Sequence, residues 1–401
     1  MKVVQINAVC GSGSTGRICR ELNDMLLQNG HEGLVLYGNG RMDYLPSHKV
    51  SRDIEVKAHG LLSRVLGKNA AYSPAATRDI LNVLEKYKPD VVHLHNLHGN
   101  YVNLKPLLQY LAENDIPTVL TLHDCWFFTG KCTHYTAEGC DRWKTGCHDC
   151  PKLRADIPSW FFDRTAEMWE EKKRLFGAIP RLAVIGVSDW ITGEAKQSFL
   201  ADAKIVKTIH NGIDLQVFKP TVGHVPEKYG LSKSKKTLLG VAAGWGRTKG
   251  LDVFIELSRR LDDTQYQIVL VGTDKNVDTQ LPPIIISIHR TEKQRELAEL
   301  HTAADLFVNP TRQDTFPTVN MEAIACGTPA LTFRTGGSPE ILDDLTGSVV
   351  DCDDIDALER EIIRICEESP FSQSDCLKRA KSFDKAIRYR EYLEIYDGVL
   401  L

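Results

Sequence analysis

The sequence lacks any continuous apolar stretch long enough to cross a bilayer, because no run of roughly 18 apolar residues occurs in its 401 residues. Its first residues enter a strand-like segment at 2–6, without the charged and apolar regions of a signal peptide. We therefore expect neither a membrane-spanning helix nor secretion, and we predict a cytoplasmic protein.

A long basic block is also missing. The chain has 49 lysines and arginines against 53 acidic residues, a formal net charge of −4, so we expect no nucleic-acid partner. Short internal repeats and low-complexity segments are absent as well, which excludes a repeat architecture. Eleven cysteines occur without a secretory signal. This combination predicts a reducing compartment, where thiols stay free or bind metal.

With 42% apolar residues, the chain exceeds what one ordinary hydrophobic core needs and fits two domains. Short apolar strands alternate with amphipathic helices along most of its length. Such alternation predicts parallel sheets with right-handed crossover connections. Because ligands of parallel sheets bind beyond the carboxyl ends of the strands, the loops at those ends carry the candidate functional residues.

The most informative stretch is residues 311–340, TRQDTFPTVNMEAIACGTPALTFRTGGSPE. A polar loop with Asp314 leads into a predicted short helix that carries Asn320 and Glu322. An apolar strand is predicted over 330–333. Two glycines then open a second predicted helix at Ser338, so that two helix N-termini offer backbone N–H groups to phosphate oxygens.

This stretch resembles the donor-sugar site of retaining glycosyltransferases of family 4. The resemblance comprises an acidic residue, seven intervening positions, then E-A-I-A-C-G-T-P and T-G-G-S-P-E. It implies the GT-B fold, an α/β architecture of two Rossmann-like domains whose parallel sheets face each other across a cleft. We expect an acceptor-side domain at 1–208, a donor-binding domain at 209–384 and a last helix within 385–401 that packs back on the first domain.

The resemblance also implies roles for single residues. Glu322 would hold the ribose, and Lys249 with Arg247 would hold the diphosphate and offset its developing charge. His123 would contact the transferred sugar, and Asp314 would reach one of the sugar hydroxyls. We therefore predict these four as catalytic: His123, Lys249, Asp314 and Glu322. The further predicted donor contacts are Asn320, Gly336 and Gly337.

A glycine-rich loop, Gly-Ser-Gly-Ser-Thr-Gly, follows the first predicted strand and matches G-x-G-x-x-G. The next strand ends without the acidic residue of dinucleotide-binding folds, and Arg17 and Ile18 stand where a P-loop needs lysine and a hydroxyl. We predict an anion-binding loop in which Gly13 and Gly16 meet donor phosphates or acceptor. A simple strand-to-helix turn is the alternative.

Histidines gather at the ends of two predicted strands, over 90–95 and 117–123. His123 matches the position of the family's active-site histidine. His93 and His95 alternate along one strand, and we predict that they face opposite sides of the sheet with one of them in the core.

The segment 125–150 departs from the strand and helix alternation and contains five cysteines. The Cys-x-x-Cys spacing at its end is typical of a zinc knuckle, and four thiolates would complete a structural site: Cys132, Cys140, Cys147 and Cys150. Free thiols packed around two tryptophans, or disulfide chemistry, remain alternatives. A catalytic metal is not expected, because the resemblance implies transferases that need no metal to hold the diphosphate.

The sequence does not decide what the apolar sides of two amphipathic segments contact. Apolar residues with helical spacing between 41 and 75 are interspersed with basic ones, which fits either contact with an anionic bilayer or packing on the same domain. An aromatic and charged helix is predicted over 159–176. We expect its aromatic residues, Trp160, Phe161 and Phe162, to pack between domains, with acceptor or bilayer contact as alternatives.

We therefore predict a retaining glycosyltransferase that moves a sugar from a UDP- or GDP-sugar to a saccharide. The expected acceptor is a saccharide on undecaprenyl diphosphate in capsule, exopolysaccharide or O-antigen synthesis, with the enzyme cytoplasmic or peripheral on the inner face of the membrane. A non-catalytic sugar-nucleotide-binding protein and a GT-B nucleotide-sugar epimerase are the alternatives.

Overall fold

Apolar strands and amphipathic helices build two parallel sheets in two separate units, in a computed structural model that describes all 401 residues. The first unit comprises Met1–His210 and Arg388–Leu401, and the second comprises Asn211–Ile387. These bounds lie within a few residues of the divisions predicted at 208/209 and 384/385.

The first unit contains a seven-stranded sheet in the order β3-β2-β1-β4-β5-β6-β7, with every pair parallel. Its elements follow in chain order: β1 (Lys2–Val9), α1 (Gly13–Gln28), β2 (Glu32–Asn39), β3 (Ser47–Lys49), α2 (Asp53–Leu66), α3 (Pro74–Tyr87), β4 (Val91–Leu94), α4 (Leu104–Glu113), β5 (Thr118–Leu122), α5 (Thr165–Gly177), β6 (Leu182–Gly186), α6 (Asp189–Lys196) and β7 (Ile205–Thr208).

The second unit contains a six-stranded parallel sheet in the order β10-β9-β8-β11-β12-β13. Its elements are α7 (Val225–Lys228), β8 (Lys236–Val241), α8 (Leu251–Arg260), β9 (Tyr266–Val271), α9 (Lys275–Asp278), β10 (Ile285–Ile288), α10 (Gln294–Ala303), β11 (Leu306–Asn309), α11 (Thr318–Ala325), β12 (Ala330–Phe333), β13 (Gly347–Val350), α12 (Ile355–Glu368) and α13 (Gln373–Ala380). The chain then passes through α14 (Lys385–Arg388) to α15 (Glu391–Leu400).

The central strands are continuous apolar runs, as expected where helices cover both faces of a parallel sheet. All six residues of β9 and all five of β5 are buried. In both sheets the strand order reverses once, between β1 and β4 and between β8 and β11. Such a reversal opens a crevice at the carboxyl ends of the two strands. The loops after these four strands are therefore the first places to look for a site.

The end of the chain differs from the single last helix predicted within 385–401. Lys385 at the start of α14 is tied to the second unit, because its Nζ lies 2.6 Å from Asp214 Oδ2. The apolar side of α15 instead joins the core of the first unit, where Tyr396 and Val399 are fully buried. The helix is interrupted where the chain leaves one unit for the other.

Candidate functional site

The reversal point of the second unit brings together two loops that are 60 residues apart in sequence. The loop after β8 ends at Gly250, whose φ of 79° suits glycine and where a Cβ would lie 2.5 Å from Pro310 O. Thr248 O accepts a hydrogen bond from the Arg312 backbone N–H at 2.9 Å. Glycine is thus required because the loop after β11 passes directly beside this position.

Lys249 and Asp314 are paired in this crevice. Lys249 Nζ lies 2.7 Å from Asp314 Oδ2, and the two side chains keep 36% and 24% of their surface exposed. Arg247 is exposed and makes no ion pair. Two predicted site residues are therefore together, each with its charge satisfied by the other and accessible to a ligand.

Arg312 holds the two loops in place, and the sequence analysis did not identify it. Its guanidinium lies 2.8 Å from Asp252 Oδ1 and 2.6 Å from Asp353 Oδ1, with 11% of the side chain exposed. Burial opposes ionisation of Asp252, but the hydrogen bond and charge of Arg312 lower the pKa of Asp252 below its usual range. The only sequence signal for this role is a basic residue two positions before Asp314.

Helix α11 begins after Pro317 and places Asn320 and Glu322 as predicted. Both side chains are buried, with Glu322 4% exposed and its Oε2 4.0 Å from Nε2 of the buried His301. Burial lowers the pKa of His301 to about 3, so this ring is neutral. Asn320 Oδ1 accepts from Asn309 Nδ2 at 2.7 Å.

Buried polar atoms without a partner gather around the start of α11. They are Asn320 Nδ2, Thr315 Oγ1 and Ser338 Oγ, and none of them has a hydrogen-bond partner within the protein. Buried polar groups are almost always paired in native proteins, by protein, water or ligand. Their concentration beside a buried carboxylate therefore indicates a place where a polar ligand binds.

The prediction of a second helix at Ser338 is wrong. Only a three-residue 3₁₀ turn, Pro339–Ile341, is present, because Leu342 already has extended backbone angles. The Gly337 N–H donates to Thr315 O at 3.2 Å, and the Ser338 N–H donates to Thr335 O at 3.0 Å. This segment therefore offers no helix N-terminus to a phosphate, although Gly336 and Gly337 do lie beside the polar atoms described above.

At the reversal point of the first unit, the glycine-rich loop follows β1 and enters α1. Ser12 caps this helix without a side-chain hydrogen bond, and no acidic residue lies in the first turn. Gly13 is the first residue of α1, at an N-terminus that favours anions. Gly16 is buried, and a Cβ there would lie 3.0 Å from Val9 Cγ2, so its role is close packing.

His123 follows β5 and is bonded to a second histidine. His123 Nε2 lies 3.0 Å from His95 Nδ1, and burial lowers the pKa of His123 to about 4. The predicted opposite orientation of His93 and His95 is wrong, because their ring centroids are 4.0 Å apart. Residues two positions apart on a strand point to the same face of the sheet.

The neighbouring Asp124 is 8% exposed and is hydrogen-bonded to other protein groups. Its Oδ2 is 2.8 Å from His98 Nε2, and its Oδ1 accepts the Trp126 backbone N–H at 2.9 Å. Burial opposes ionisation of Asp124, but His98 and this N–H lower its pKa. Asp124 is therefore an ionised partner of His98.

Two family models match the chain. The model described as Glycosyltransferase Family 4 matches residues 15–217, half of the chain, and the model described as Glycosyl transferases group 1 matches residues 226–387. The chain belongs to glycosyltransferase family 4. The predicted family is confirmed.

Two relatives match most of this glycosyltransferase at 24% identity. One is WcaC of Escherichia coli K12, assigned as a colanic acid biosynthesis glycosyl transferase; the match covers 92% of this chain and 90% of WcaC. The other is N-acetyl-alpha-D-glucosaminyl L-malate synthase of Bacillus anthracis, with 96% and 93% covered.

Solved structures confirm the GT-B fold. Sucrose-phosphate synthase of Thermosynechococcus elongatus is similar with a TM-score of 0.72 at 16% identity, covering 100% of this chain and 99% of that one. Anabaena Alr3699/HepE in complex with UDP-glucose is similar with a TM-score of 0.67 at 15% identity, covering 99% and 100%.

In this glycosyltransferase the cysteine-containing segment is organised by aromatic residues and buried lysines. Five large rings are buried in it, namely Trp126, Phe127, Phe128, Tyr135 and Trp143. Lys172 Nζ lies 3.5 Å from the Trp126 ring centroid and donates to Trp126 O at 2.5 Å and Thr129 O at 3.0 Å. The segment thus has an aromatic core of its own.

The four predicted zinc ligands lie in this segment but are not gathered at one point. Cys132 and Cys150 are neighbours, and Cys147 Sγ accepts the Gly130 N–H at 3.2 Å. No three of the four sulfur atoms lie within 4.8 Å of one another. The neighbouring Cys132 thiol lowers the pKa of Cys150 to about 7. The structure therefore presents a thiol pair.

Helix α2 exposes much of its apolar side, and a neighbouring loop extends that surface. The predicted helix over 159–176 begins only at Thr165, and the loop before it leaves Trp160, Phe161 and Phe162 45%, 67% and 47% exposed. Their predicted packing between domains stays a prediction. The Trp160 N–H donates to Arg64 O at 2.7 Å, which joins the loop to the end of α2. We call the following six residues the α2 surface: Leu61, Leu62, Leu66, Trp160, Phe161 and Phe162.

No helix of the structure is both long and apolar enough to span a bilayer.

Proposed function

We propose that this glycosyltransferase transfers a sugar, with retention of anomeric configuration, from a UDP- or GDP-sugar to a saccharide in polysaccharide biosynthesis. The observation that carries the proposal is the crevice at the start of α11, where the buried Glu322 lies among polar atoms without partners. The colanic acid assignment of WcaC and the UDP-glucose bound to HepE support the acceptor and donor classes.

The roles of the second-unit residues follow from their chemistry. Glu322 accepts hydrogen bonds from the ribose, and Asn320 contributes its unpaired Nδ2 to the donor. Lys249 and Arg247 neutralise the diphosphate. Because Lys249 is already paired with Asp314, phosphate binding exchanges one anionic partner for another and frees Asp314 to accept from a sugar hydroxyl. His123 of the first unit contacts the transferred sugar.

A thermal-unfolding screen with UDP, GDP and their common sugar derivatives tests the donor assignment. A ligand at a hundred times its Kd adds about 2.7 kcal/mol to the stability of the protein. We expect one base series to stabilise the wild type. Glu322→Gln should weaken its binding about tenfold, because the ribose hydroxyls then donate to a neutral acceptor instead of a charged one. Glu299→Gln is the control, since Glu299 is a buried glutamate whose Oε2 instead accepts the Val225 N–H.

If no nucleoside diphosphate or sugar nucleotide stabilises the protein, the donor assignment fails. Binding without any transfer would support a sugar-nucleotide-binding protein, and altered sugar stereochemistry without an acceptor would support an epimerase. The anomeric configuration of the product, read from its proton couplings, decides between retention and inversion.

We propose further that the acceptor is a lipid-linked saccharide and that the α2 surface contacts the bilayer. The exposed aromatic and leucine side chains of this surface have basic neighbours, and Arg164 lies 5.5 Å from the Phe162 ring centroid. Apolar residues flanked by cations suit an anionic membrane surface. The acceptor class is undecaprenyl-diphosphate-linked saccharide at the inner face of the membrane.

Vesicle sedimentation tests this contact. The wild type is expected to bind vesicles that contain phosphatidylglycerol and to bind pure phosphatidylcholine vesicles less. Phe161→Ser is expected to weaken binding about tenfold, because inserting a phenylalanine contributes about 1.5–3 kcal/mol. Val222→Ser removes a 91% exposed residue of the second unit and serves as the control. Equal binding by both variants would contradict the proposal.

A structural zinc ion at Cys132, Cys140, Cys147 and Cys150 stays a prediction. Thiolates are suitable zinc ligands, but no three of these four sulfur atoms lie within 4.8 Å of one another in the structure. Elemental analysis of protein purified without a metal-affinity tag tests it. About one equivalent of zinc is expected, and less than about a tenth would end the hypothesis in favour of free thiols or a Cys132–Cys150 disulfide.

A further inference from the structure

A chain of buried polar side chains links three neighbouring strands of the first unit to His123. It begins at Gln5 on β1, continues through His95 after β4 and ends at His123 after β5. Gln5 and His95 are fully buried. The strands β1, β4 and β5 are adjacent in the sheet, which brings residues almost 120 positions apart into one hydrogen-bonded row.

The orientation of the Gln5 amide is determined by its other neighbour. Its nitrogen lies 3.0 Å from the backbone carbonyl oxygen of Cys19. A carbonyl oxygen can only accept, so the atom facing it must be the NH₂ group. The carbonyl oxygen of Gln5 therefore faces His95 Nε2, at 3.1 Å, and can only accept from it.

This acceptor determines where the proton of His95 lies. His95 must carry hydrogen on Nε2, and burial lowers its pKa well below the usual range, so the ring is neutral. A neutral imidazole with hydrogen on Nε2 has a lone pair on Nδ1. His123 Nε2, 3.0 Å from that lone pair, must then be the donor.

The same reasoning carries over to His123, which is neutral at ordinary pH because burial lowers its pKa to about 4. With hydrogen on Nε2, its Nδ1 bears a lone pair. The structure gives His123 this one hydrogen bond, and the side chain is partly exposed. The nearby Asp124 does not compete for the ring, since its two oxygens accept from His98 and Trp126.

We propose that Gln5 and His95 are positioning residues that hold His123 in the Nε2–H tautomer, so that its Nδ1 accepts a hydrogen bond from a hydroxyl group of the transferred sugar. The tautomer follows from the first unit alone, and only the sugar contact rests on the proposed function. A lone pair accepts from a hydroxyl but repels a carboxylate oxygen. The sugar therefore has a hydroxyl, and not the carboxylate of a uronic acid, at the position that meets His123.

Nitrogen NMR of the ¹⁵N-histidine-labelled full chain tests the tautomer without any ligand. Two-bond and three-bond couplings distinguish Nε2–H from Nδ1–H rings, and a His123→Asn sample assigns the His123 signals. We expect His123 and His95 both in the Nε2–H form. An Nδ1–H form of His123 in the unaltered protein overturns the proposal, and this result needs no variant to fold.

Gln5→Met tests the origin of the tautomer. Methionine has a similar length but accepts hydrogen bonds only weakly, so the His95 proton moves to Nδ1 to avoid an unpaired buried N–H. His95 then donates to His123, and we expect the His123 signal to shift to the Nδ1–H form. Gln267→Met is the control, because Gln267 is a buried glutamine of the second unit that bonds to Ser232 and Thr237. An unchanged His123 tautomer in folded Gln5→Met overturns the proposal.

Transfer assays test the consequence for the sugar. Gln5→Met is expected to lower kcat/KM about tenfold, the equivalent of one hydrogen bond of about 1.4 kcal/mol. With a series of monodeoxy donor analogues, one analogue is expected to abolish this difference between wild type and variant. If Gln5 has only a structural role, Gln5→Met should lower kcat/KM by the same factor for every donor analogue. That outcome, with the expected tautomers, would remove the sugar contact and leave the donor assignment intact.

Discussion

The reversal points of the two sheets differ in how their polar groups are satisfied. In the first unit, Gln5, His95 and Asp124 bond to other protein groups, and Asn96 Oδ1 after β4 is the buried atom there without a partner. In the second unit, Asn320 has an unpaired buried nitrogen, and the Lys249–Asp314 pair is partly exposed. Side chains that bond to each other hold a fixed geometry. Unpaired polar atoms, and ion pairs that a ligand can reach, remain able to bind a ligand. Substitutions in the buried core of the cysteine-containing segment should therefore affect stability, whereas substitutions in the crevice of the second unit should affect activity.

The largest expected effect is on stability in the first unit. Lys172→Met leaves the carbonyl oxygens of Trp126 and Thr129 without their donor, so we expect the free energy of unfolding to fall by about 3 kcal/mol. Urea unfolding followed by tryptophan fluorescence measures this, since five of the six tryptophans lie in the first unit. Lys173→Met, at an exposed neighbouring position, should cost much less. An equal loss of free energy of unfolding in the two variants would contradict the stabilising role of Lys172.

The second expected effect is on activity in the second unit. Lys249→Ala should lower kcat about hundredfold, equivalent to about 2.7 kcal/mol, because the charge on the leaving diphosphate is no longer offset. Stability should change by less than about 1 kcal/mol, since the pair with Asp314 is partly exposed. Lys236→Ala removes a comparable exposed pair, with Asp305, and should leave kcat unchanged. A comparable loss of kcat in both variants would contradict the role of Lys249.

The smallest expected effect is a pH dependence in the first unit. Burial, and to a lesser degree His123, lower the pKa of His93, so between pH 7 and 6 the unfolded chain binds more protons than the folded one and stability falls with falling pH. Between pH 7 and pH 6, the free energy of unfolding of His93→Gln should fall by about 0.7 kcal/mol less than that of the wild type, given an unfolded pKa near 6.5. Urea unfolding at both pH values checks this, with His224→Gln as control because that side chain is fully exposed. An identical pH slope in both proteins would mean that His93 stays neutral for another reason.

Much of the fold was predictable because strand and helix periodicity is a local property. The strand over 330–333 and the short helix with Glu322 lie where the pattern predicts them. The helix expected at Ser338 fails because its glycines and proline suit a turn equally well, and the chain extends again at Leu342. The aromatic triplet at 160–162 was expected to lie in a helix, but the helix begins only at Thr165, because hydrophobicity alone does not fix where a helix starts.

The structure shows partners of the predicted site residues that the sequence did not indicate. Lys249, Asp314 and Glu322 were predicted from the family resemblance, whereas Arg312 was missed because its contacts are with two aspartates about 40 and 60 positions away. His93 and His95 were placed on opposite faces through a misapplied alternation, although residues two apart on a strand share a face.

By itself, the sequence determined the alternation of strands and helices, the division near residue 210 and the membership in glycosyltransferase family 4. These depend on local patterns and on motifs contained within some thirty residues. Only the tertiary structure decided which side chains meet: the row from Gln5 to His123, the lysine that joins the carbonyls of the cysteine segment, and the unpaired atoms around α11. The reason is physical, since strand order and loop packing bring together groups far apart in sequence, and hydrogen bonds are made only between groups that are brought within about 3 Å.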